Sequence, residues 1–135
     1  MIPHDHSIIA VDFDGTIVED KYPKIGPPQL FAFETMIKLQ EQGHRLILWT
    51  VRNGKKLDEA VAFCKENGVE FYAINKNYPE EILDEKTSRK IYADIFIDDR
   101  NIGGFLGWGE IYQLFFNKEA QKKPTKKGFL SFFKK

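Results

Sequence analysis

Cysteine is almost absent from this chain of 135 residues, in which Cys64 is the single example. One cysteine excludes an intramolecular disulfide and a cysteine-rich zinc site. No apolar run approaches the roughly 20 residues that cross a bilayer. The N-terminal residues also lack a basic stretch followed by an apolar run and a cleavage site. Together these absences predict a soluble, cytoplasmic protein.

An excess of positive charge is missing as well. The 20 basic and 20 acidic residues give a formal net charge of +0, so the charge balance does not indicate a nucleic-acid binder. With 42% apolar and 14% aromatic residues, the chain can form one compact domain with a real core. We assign this domain to residues 1–117 and treat residues 118–135 as a basic, aromatic C-terminal tail.

Patterns typical of strands and helices alternate along the chain. Strands are predicted at 7–12, 45–50, 69–74 and 93–98, and helices at 29–42, 55–67 and 108–117. This alternation indicates a parallel sheet, whose ligands usually bind beyond the carboxyl ends of the strands. We therefore predict a three-layer α/β/α, Rossmann-like parallel sheet.

Polar side chains stand where the predicted strands end. They are Asp12 and Asp14 after the first strand, Thr50 at the end of the second, and Asp98 and Asp99 after the last. Alternate strand residues point to the same side, so Asp12 and Asp14 can face one site. Two charges about 4 Å apart repel by roughly 4 kcal/mol at an effective dielectric near 20, so a positive charge should compensate them. Such a cluster fits a hard cation, for which Mg²⁺ is the usual choice.

In this order the residues resemble the signature of the haloacid dehalogenase-like superfamily. The DxDGT motif matches residues 12–16, the Ser or Thr of the next strand matches Thr50, and the final acidic pair matches 98–99. A motif lysine is expected upstream of that pair, where both Lys86 and Lys90 lie, and Lys90 is favoured because it is nearer the strand. The resemblance covers about residues 8 to 99.

The resemblance implies a Mg²⁺-dependent phosphatase that cleaves a phosphate monoester. Asp12 would attack phosphorus and form an aspartyl-phosphate, as carboxylate nucleophiles do. Asp14 would act as general acid and then as general base. The metal would be held by Asp12, Asp14 through its backbone carbonyl, and Asp98, with Asp99 supporting the metal or the lysine.

The same resemblance assigns contacts to the phosphoryl group. Thr50 would donate a hydrogen bond to it, and Lys90 would add positive charge while steadying the nucleophile. Arg52 is a further candidate substrate contact, on loop position alone, and a surface-turn role is the alternative for it. Lys86 remains the alternative to Lys90.

The chain resembles a capless member, because both intervals that carry caps in relatives are short here. An uncovered site suits phosphate displayed by a macromolecule, or a lid borrowed from another subunit of a homo-oligomer, although small substrates stay open. The segment 121–135 has six lysines and no acid, so it could touch an anionic membrane or a partner. A mobile tail, or one whose aromatics cover the sheet or another subunit, is the preferred interpretation.

Two other functional classes compete with the phosphatase. A catalytically idle relative could serve as a binding or regulatory module, because motifs show only that a chemistry is possible. A receiver domain, which accepts phosphate on an aspartate, also uses strand-end acids, a threonine and a lysine. Receivers carry their acidic pair early, whereas here the pair at 98–99 comes last, and this order argues against a receiver.

Overall fold

The computed structural model describes residues 6–117. Its sheet has four parallel strands in the order β3-β2-β1-β4. The strands are β1 (Ile8–Val11), β2 (Arg45–Leu48), β3 (Ala73–Ile74) and β4 (Ile95–Ile97), and the helices are α1 (Ala32–Glu41), α2 (Gly54–Glu66) and α3 (Trp108–Phe116). The prediction of a small α/β fold with a parallel sheet is confirmed.

Strand β1 lies in the interior of the sheet, between β2 and β4. Its last residue, Val11, is in register with Leu48 of β2 and Ile97 of β4. The pairing continues past the strand, since the Asp12 N–H donates to the Ile97 carbonyl at 3.0 Å. Residues that follow these three strands therefore emerge at the same edge.

One face of the sheet carries the main hydrophobic core. Alternate residues of β1, Ile9 and Val11, are completely buried there. All three helices contribute to this core, through Met36 of α1, Cys64 of α2 and Trp108 of α3. Helices α1 and α3 also contact each other.

The opposite face is covered differently. Ala10, Ile47 and Ala73 form a smaller cluster with Ile91, which belongs to the irregular connection between β3 and β4. Among residues 6–117, no helix contributes to this cluster, so the predicted second helical layer is not confirmed. Polar side chains of the connection bond locally instead: for example, Asn77 accepts from the Tyr92 N–H and donates to Glu81.

Two predicted elements are shortened most in the structure. Helix α1 begins at Ala32, later than predicted, because Phe31 has a left-handed φ of 66°. Strand β3 contains only Ala73–Ile74. The Val69 N–H, at the start of the predicted strand, bonds to the Cys64 carbonyl and closes the end of α2 instead of joining the sheet.

The β1–α1 connection forms a small flap, defined here as residues 17–29. Its two arms are joined by bonds from the Glu19 N–H to the Pro27 carbonyl, at 2.9 Å, and from the Gln29 N–H to the Ile17 carbonyl, at 2.8 Å. Neither this flap nor the β3–β4 connection contains an inserted folded domain. In the described part of the chain, no helix is long and apolar enough to cross a membrane. The predicted tail, 118–135, lies outside the described residues.

Candidate functional site

Three carboxylates meet at the carboxyl edge of the sheet. Asp12 follows β1, and Asp98 and Asp99 follow the adjacent β4. Each offers one oxygen atom, and these three oxygens lie within 4.8 Å of one another. Hard cations bind to such sets of carboxylate oxygens, so this acidic triad could hold a metal ion.

The electrostatics of the acidic triad also suit a cation. Burial, a hydrogen bond with Asp99 and the charge of Asp98 raise the pKa of Asp12 to about 7. A cation bound beside it would favour the charged form instead. The crowding is therefore costly without a positive charge. The sequence predicted such a cost between Asp12 and Asp14, whereas here it arises between Asp12 and the pair Asp98 and Asp99.

The turn after Asp12 is shaped to bring the acids together. The Thr16 hydroxyl oxygen is 3.2 Å from both Asp12 Oδ2 and Asp99 Oδ1. Gly15 has a φ of +85°, and a Cβ atom on it would lie only 2.3 Å from Asp99 Oδ2. Any other residue would be strained in this backbone conformation and would push Asp99 away. The motif included both residues, but only the structure shows what they contact.

Trp108 supports this turn from within the core. Its indole Nε1–H donates to the Thr16 carbonyl at 2.7 Å, and the side chain is 1% exposed. Helix α3 therefore helps to fix the position of a residue that touches two of the acids. Sequence reasoning missed this contact, because no local pattern connects residues so far apart in the chain.

Asp14 lies outside the acidic triad. Its carboxylate forms a bidentate ion pair with Arg52, in which Nε is 2.7 Å from Oδ2 and Nη2 is 2.7 Å from Oδ1. Phe13, between the two aspartates, points into the core as expected and packs edge to face against Phe63. The structure therefore does not bring the Asp14 side chain to the predicted metal site, and the charge that compensates Asp14 is Arg52.

Arg52 is placed differently from the sequence prediction. As a loop residue it was a candidate substrate contact, yet its side chain is 0% exposed. Its pKa is raised above the usual arginine value, chiefly by the hydrogen bond to Asp14. A guanidinium enclosed and paired in this way is unavailable to substrate, so we withdraw the assignment of Arg52 to substrate binding.

Thr50 follows β2, beside the strand that carries Asp12. Its N–H donates to Asn75 Oδ1 at 2.8 Å, and its Oγ1 accepts from the Arg52 N–H at 3.1 Å. Asn75 follows β3 and has a left-handed φ of 54°. Sequence reasoning missed Asn75, although its place directly after a strand was the same signal that identified Thr50.

The predicted motif lysines lie at the surface of the described structure. Lys86 and Lys90 are both exposed in the irregular connection, and within residues 6–117 neither forms an ion pair with a carboxylate. Lys76 follows β3 almost directly, which places it at the carboxyl edge of the sheet, and it is half-buried. Its ammonium group lies 3.5 Å from the Pro79 carbonyl.

A solved structure is similar to this chain over nearly its whole length. It is described as the structure of the conserved protein coded by locus from Bacteroides thetaiotaomicron, and it shares 54% sequence identity with this chain at a TM-score of 0.78. The match covers 89% of this chain and 93% of the other. The chain belongs to the family of this conserved Bacteroides protein.

No family model matches the chain, and no curated protein matches it. Membership of the Bacteroides protein's family supports the fold but assigns no chemistry. The chemistry therefore has to be argued from the acidic triad and the residues around it.

Proposed function

We propose that this protein is a Mg²⁺-dependent phosphohydrolase of the haloacid dehalogenase-like type, acting on a phosphate monoester. The observation that carries the proposal is the separation of the two aspartates after β1. Asp12 shares a site with Asp98 and Asp99, whereas Asp14 is held apart by Arg52. This division suits two different tasks, nucleophilic attack and proton transfer.

Asp12 is the proposed nucleophile. An oxygen of its carboxylate attacks phosphorus, the bond to the leaving oxygen breaks, and an aspartyl-phosphate forms on Asp12. The bidentate pairing with Arg52 is that of an ionised carboxylate, so Asp14 must first take up a proton from solvent. It then gives this proton to the leaving oxygen and later takes one from the water that hydrolyses the intermediate. Bound Mg²⁺ would supply positive charge that keeps Asp12 ionised and offsets its repulsion of the phosphate. The Asp14 backbone carbonyl and Asp98 would be further metal ligands, with Asp99 as a ligand or support.

Thr50 is the proposed donor to the phosphoryl oxygens. Its Oγ1 already accepts a bond from the Arg52 N–H, which leaves the hydroxyl proton to donate. In the described residues that proton has no protein acceptor. The backbone N–H of Thr50 is used by Asn75, so the hydroxyl rather than this amide would contact the phosphate.

The proposal includes a haloacid dehalogenase-like core in which the irregular β3–β4 connection occupies the position of the second helical layer. It also includes an open site, because the β1–α1 connection contributes only the small flap as a cover. Such a site could accept phosphate carried by a macromolecule, or it could be closed by a lid from another subunit. A panel of phosphorylated sugars, nucleotides, polynucleotide ends and phosphopeptides tests this; efficient turnover of a small metabolite alone, by a monomer, contradicts it.

One observation favours a second candidate, a catalytically idle module that binds a cation without turnover. Lys86 and Lys90 are exposed and, in the described part of the chain, unpaired with the acids, so neither is placed to steady the nucleophile. Lys76, half-buried and closely following β3, is the lysine proposed to replace them in a working phosphatase.

Phosphate release from 4-nitrophenyl phosphate separates the two candidates. The proposal predicts release that requires Mg²⁺, stops in excess EDTA, and is lost in Asp12→Asn. Asp58→Asn is the matched control, because Asp58 is an exposed residue of α2 that belongs neither to the acidic triad nor to the Asp14–Arg52 pair. Calorimetric Mg²⁺ binding without hydrolysis of any phosphate ester in the panel would establish the idle module. Absence of Mg²⁺ binding by the wild-type protein would refute both.

A further inference from the structure

The guanidinium of Arg52 has every N–H group paired. Nε donates to Asp14 Oδ2 at 2.7 Å, and Nη2 donates to Asp14 Oδ1 at 2.7 Å and to the Lys24 carbonyl at 3.0 Å. Nη1 donates to the carbonyls of Pro23, at 3.4 Å, and Lys56, at 3.3 Å. An arginine side chain carries five N–H donors, so none remains for another ligand.

Two aromatic rings also lie against this guanidinium. The Arg52 Cζ atom lies 5.1 Å from the ring centroid of Phe13 and 5.0 Å from that of Tyr22. A cation is attracted to the face of an aromatic ring, and more strongly where water is excluded. Carbonyl and carboxylate oxygens thus accept from all of its N–H groups, and two aromatic rings lie close to it.

The acceptors belong to three separate segments of the chain. Asp14 follows β1, Pro23 and Lys24 lie in the flap, and Lys56 belongs to the first turn of α2. If the flap withdrew, Arg52 would lose two carbonyl acceptors and the Tyr22 ring at once. Unpaired donors on a buried cation are costly, so the guanidinium ties the position of the flap to the orientation of Asp14.

We propose that Arg52 is a positioning residue that couples the flap to the Asp14 carboxylate. It holds Asp14 in one orientation for proton transfer, and it holds the segment with Tyr22 and Lys24 against β1 and α2. The catalytic consequence rests on the phosphohydrolase function proposed above. The mechanical coupling does not, because it is a property of the fold alone.

Limited proteolysis tests the coupling without any assumption about activity. Trypsin can cut the flap after Lys21 and Lys24, and Arg52→Lys keeps a trypsin site while losing the bidentate pairing. We expect flap cleavage at least about tenfold faster in Arg52→Lys, equivalent to about 1.4 kcal/mol. Arg45→Lys is the matched control, since Arg45 stacks on Tyr72 and begins β2 at the other end of the strand. Unchanged flap cleavage in Arg52→Lys overturns the proposal.

Asp14→Asn provides a second test. It removes the charged partner of Arg52, and its effect is again measured as the rate of trypsin cleavage in the flap. Loss of the ion pair should raise flap cleavage several-fold while cleavage after Lys65, in α2, stays at the wild-type rate. Equal acceleration at both places would indicate general unfolding and overturn the coupling. No acceleration at the flap would overturn it too.

Leaving-group dependence tests the catalytic part. In Arg52→Lys, the first-turnover rate on an alkyl phosphate should fall at least about tenfold more than the rate on 4-nitrophenyl phosphate. The alkyl oxygen needs the proton that Asp14 supplies, whereas nitrophenolate leaves readily without one. Mg²⁺ affinity should not change, because Arg52 contacts none of the acidic triad. An equal loss with both substrates would show that Arg52 is merely structural. If the wild type hydrolyses neither ester, the proposed function fails while proteolysis still decides the coupling.

Discussion

Replacing Asp12 by asparagine should stabilise the metal-free protein, although it removes the proposed nucleophile. The folded structure raises the pKa of Asp12 from its ordinary 3.8 to about 7, mainly through burial and then through Asp99 and Asp98. Between these two pH values the folded state holds a proton that the unfolded chain has lost. The contribution of Asp12 to the free energy of unfolding therefore falls as the pH rises from about 4 to 7, and stays low above pH 7.

The size of this effect follows from the pKa. At about 1.4 kcal/mol per pH unit, the full rise would correspond to about 4 kcal/mol. Asp12 is partly open to solvent, which screens the charges, so we expect about 1 to 2 kcal/mol. In a chain of this length, that corresponds to a melting temperature higher by roughly 3–10 °C for Asp12→Asn at pH 8.

Thermal unfolding in EDTA, from pH 4 to pH 8.5, measures the difference between the variant and the wild type. The two curves should meet near pH 4 and separate progressively up to about pH 7. Asp58→Asn, on the exposed side of α2, should run parallel to the wild type throughout. Saturating Mg²⁺ should reverse the order at pH 8, because a bound cation stabilises the charged acidic triad. A difference between Asp12→Asn and wild type that is independent of pH in EDTA would refute the reasoning.

Three further predictions concern the core. The Thr35 hydroxyl is buried without a hydrogen-bond partner among the described residues, so Thr35→Val should keep or raise the free energy of unfolding, by up to about 1 kcal/mol; a loss in urea unfolding would contradict this. Trp108→Phe removes the indole bond to the Thr16 carbonyl and should cost about 1–3 kcal/mol in the same assay, whereas no cost would show that this bond is dispensable. Burial raises the pKa of the Cys64 thiol to about 12, so Ellman's reagent at pH 8 should label it only after denaturation. Rapid labelling of the native protein would disprove this protection.

Most of the fold could be predicted from local patterns. The apolar runs around Ile9 and Leu46 and the helical spacing before Cys64 depend only on neighbouring residues, and the structure has strands and helices there. The boundaries were less accurate where a distant contact decides them. Residues 69–72 have strand character, but the Val69 N–H bonds to the end of α2 and the Glu70 N–H bonds to Gln40, while the Tyr72 N–H bonds to Leu46 of β2.

The acidic triad was predictable because parallel strands place their carboxyl ends at one edge. Asp12 and the pair at 98–99 could be expected to meet once the strands were recognised, and their oxygens do. The partner of Asp14 was not predictable in the same way. Arg52 lies in a loop, where charged residues are usually solvated, and nothing in its neighbours indicates that it is buried.

The order of residues along this chain was sufficient to determine which side chains end each strand, because strand periodicity and the direction of parallel strands are local or topological properties. Only the tertiary structure decided which charged groups contact each other. Asp12 lies beside Asp98 and Asp99, whereas Asp14 forms an ion pair with Arg52. The physical reason is that Arg52 pairs with acceptors from the turn after β1, the flap and α2, and these come together only when the chain has folded.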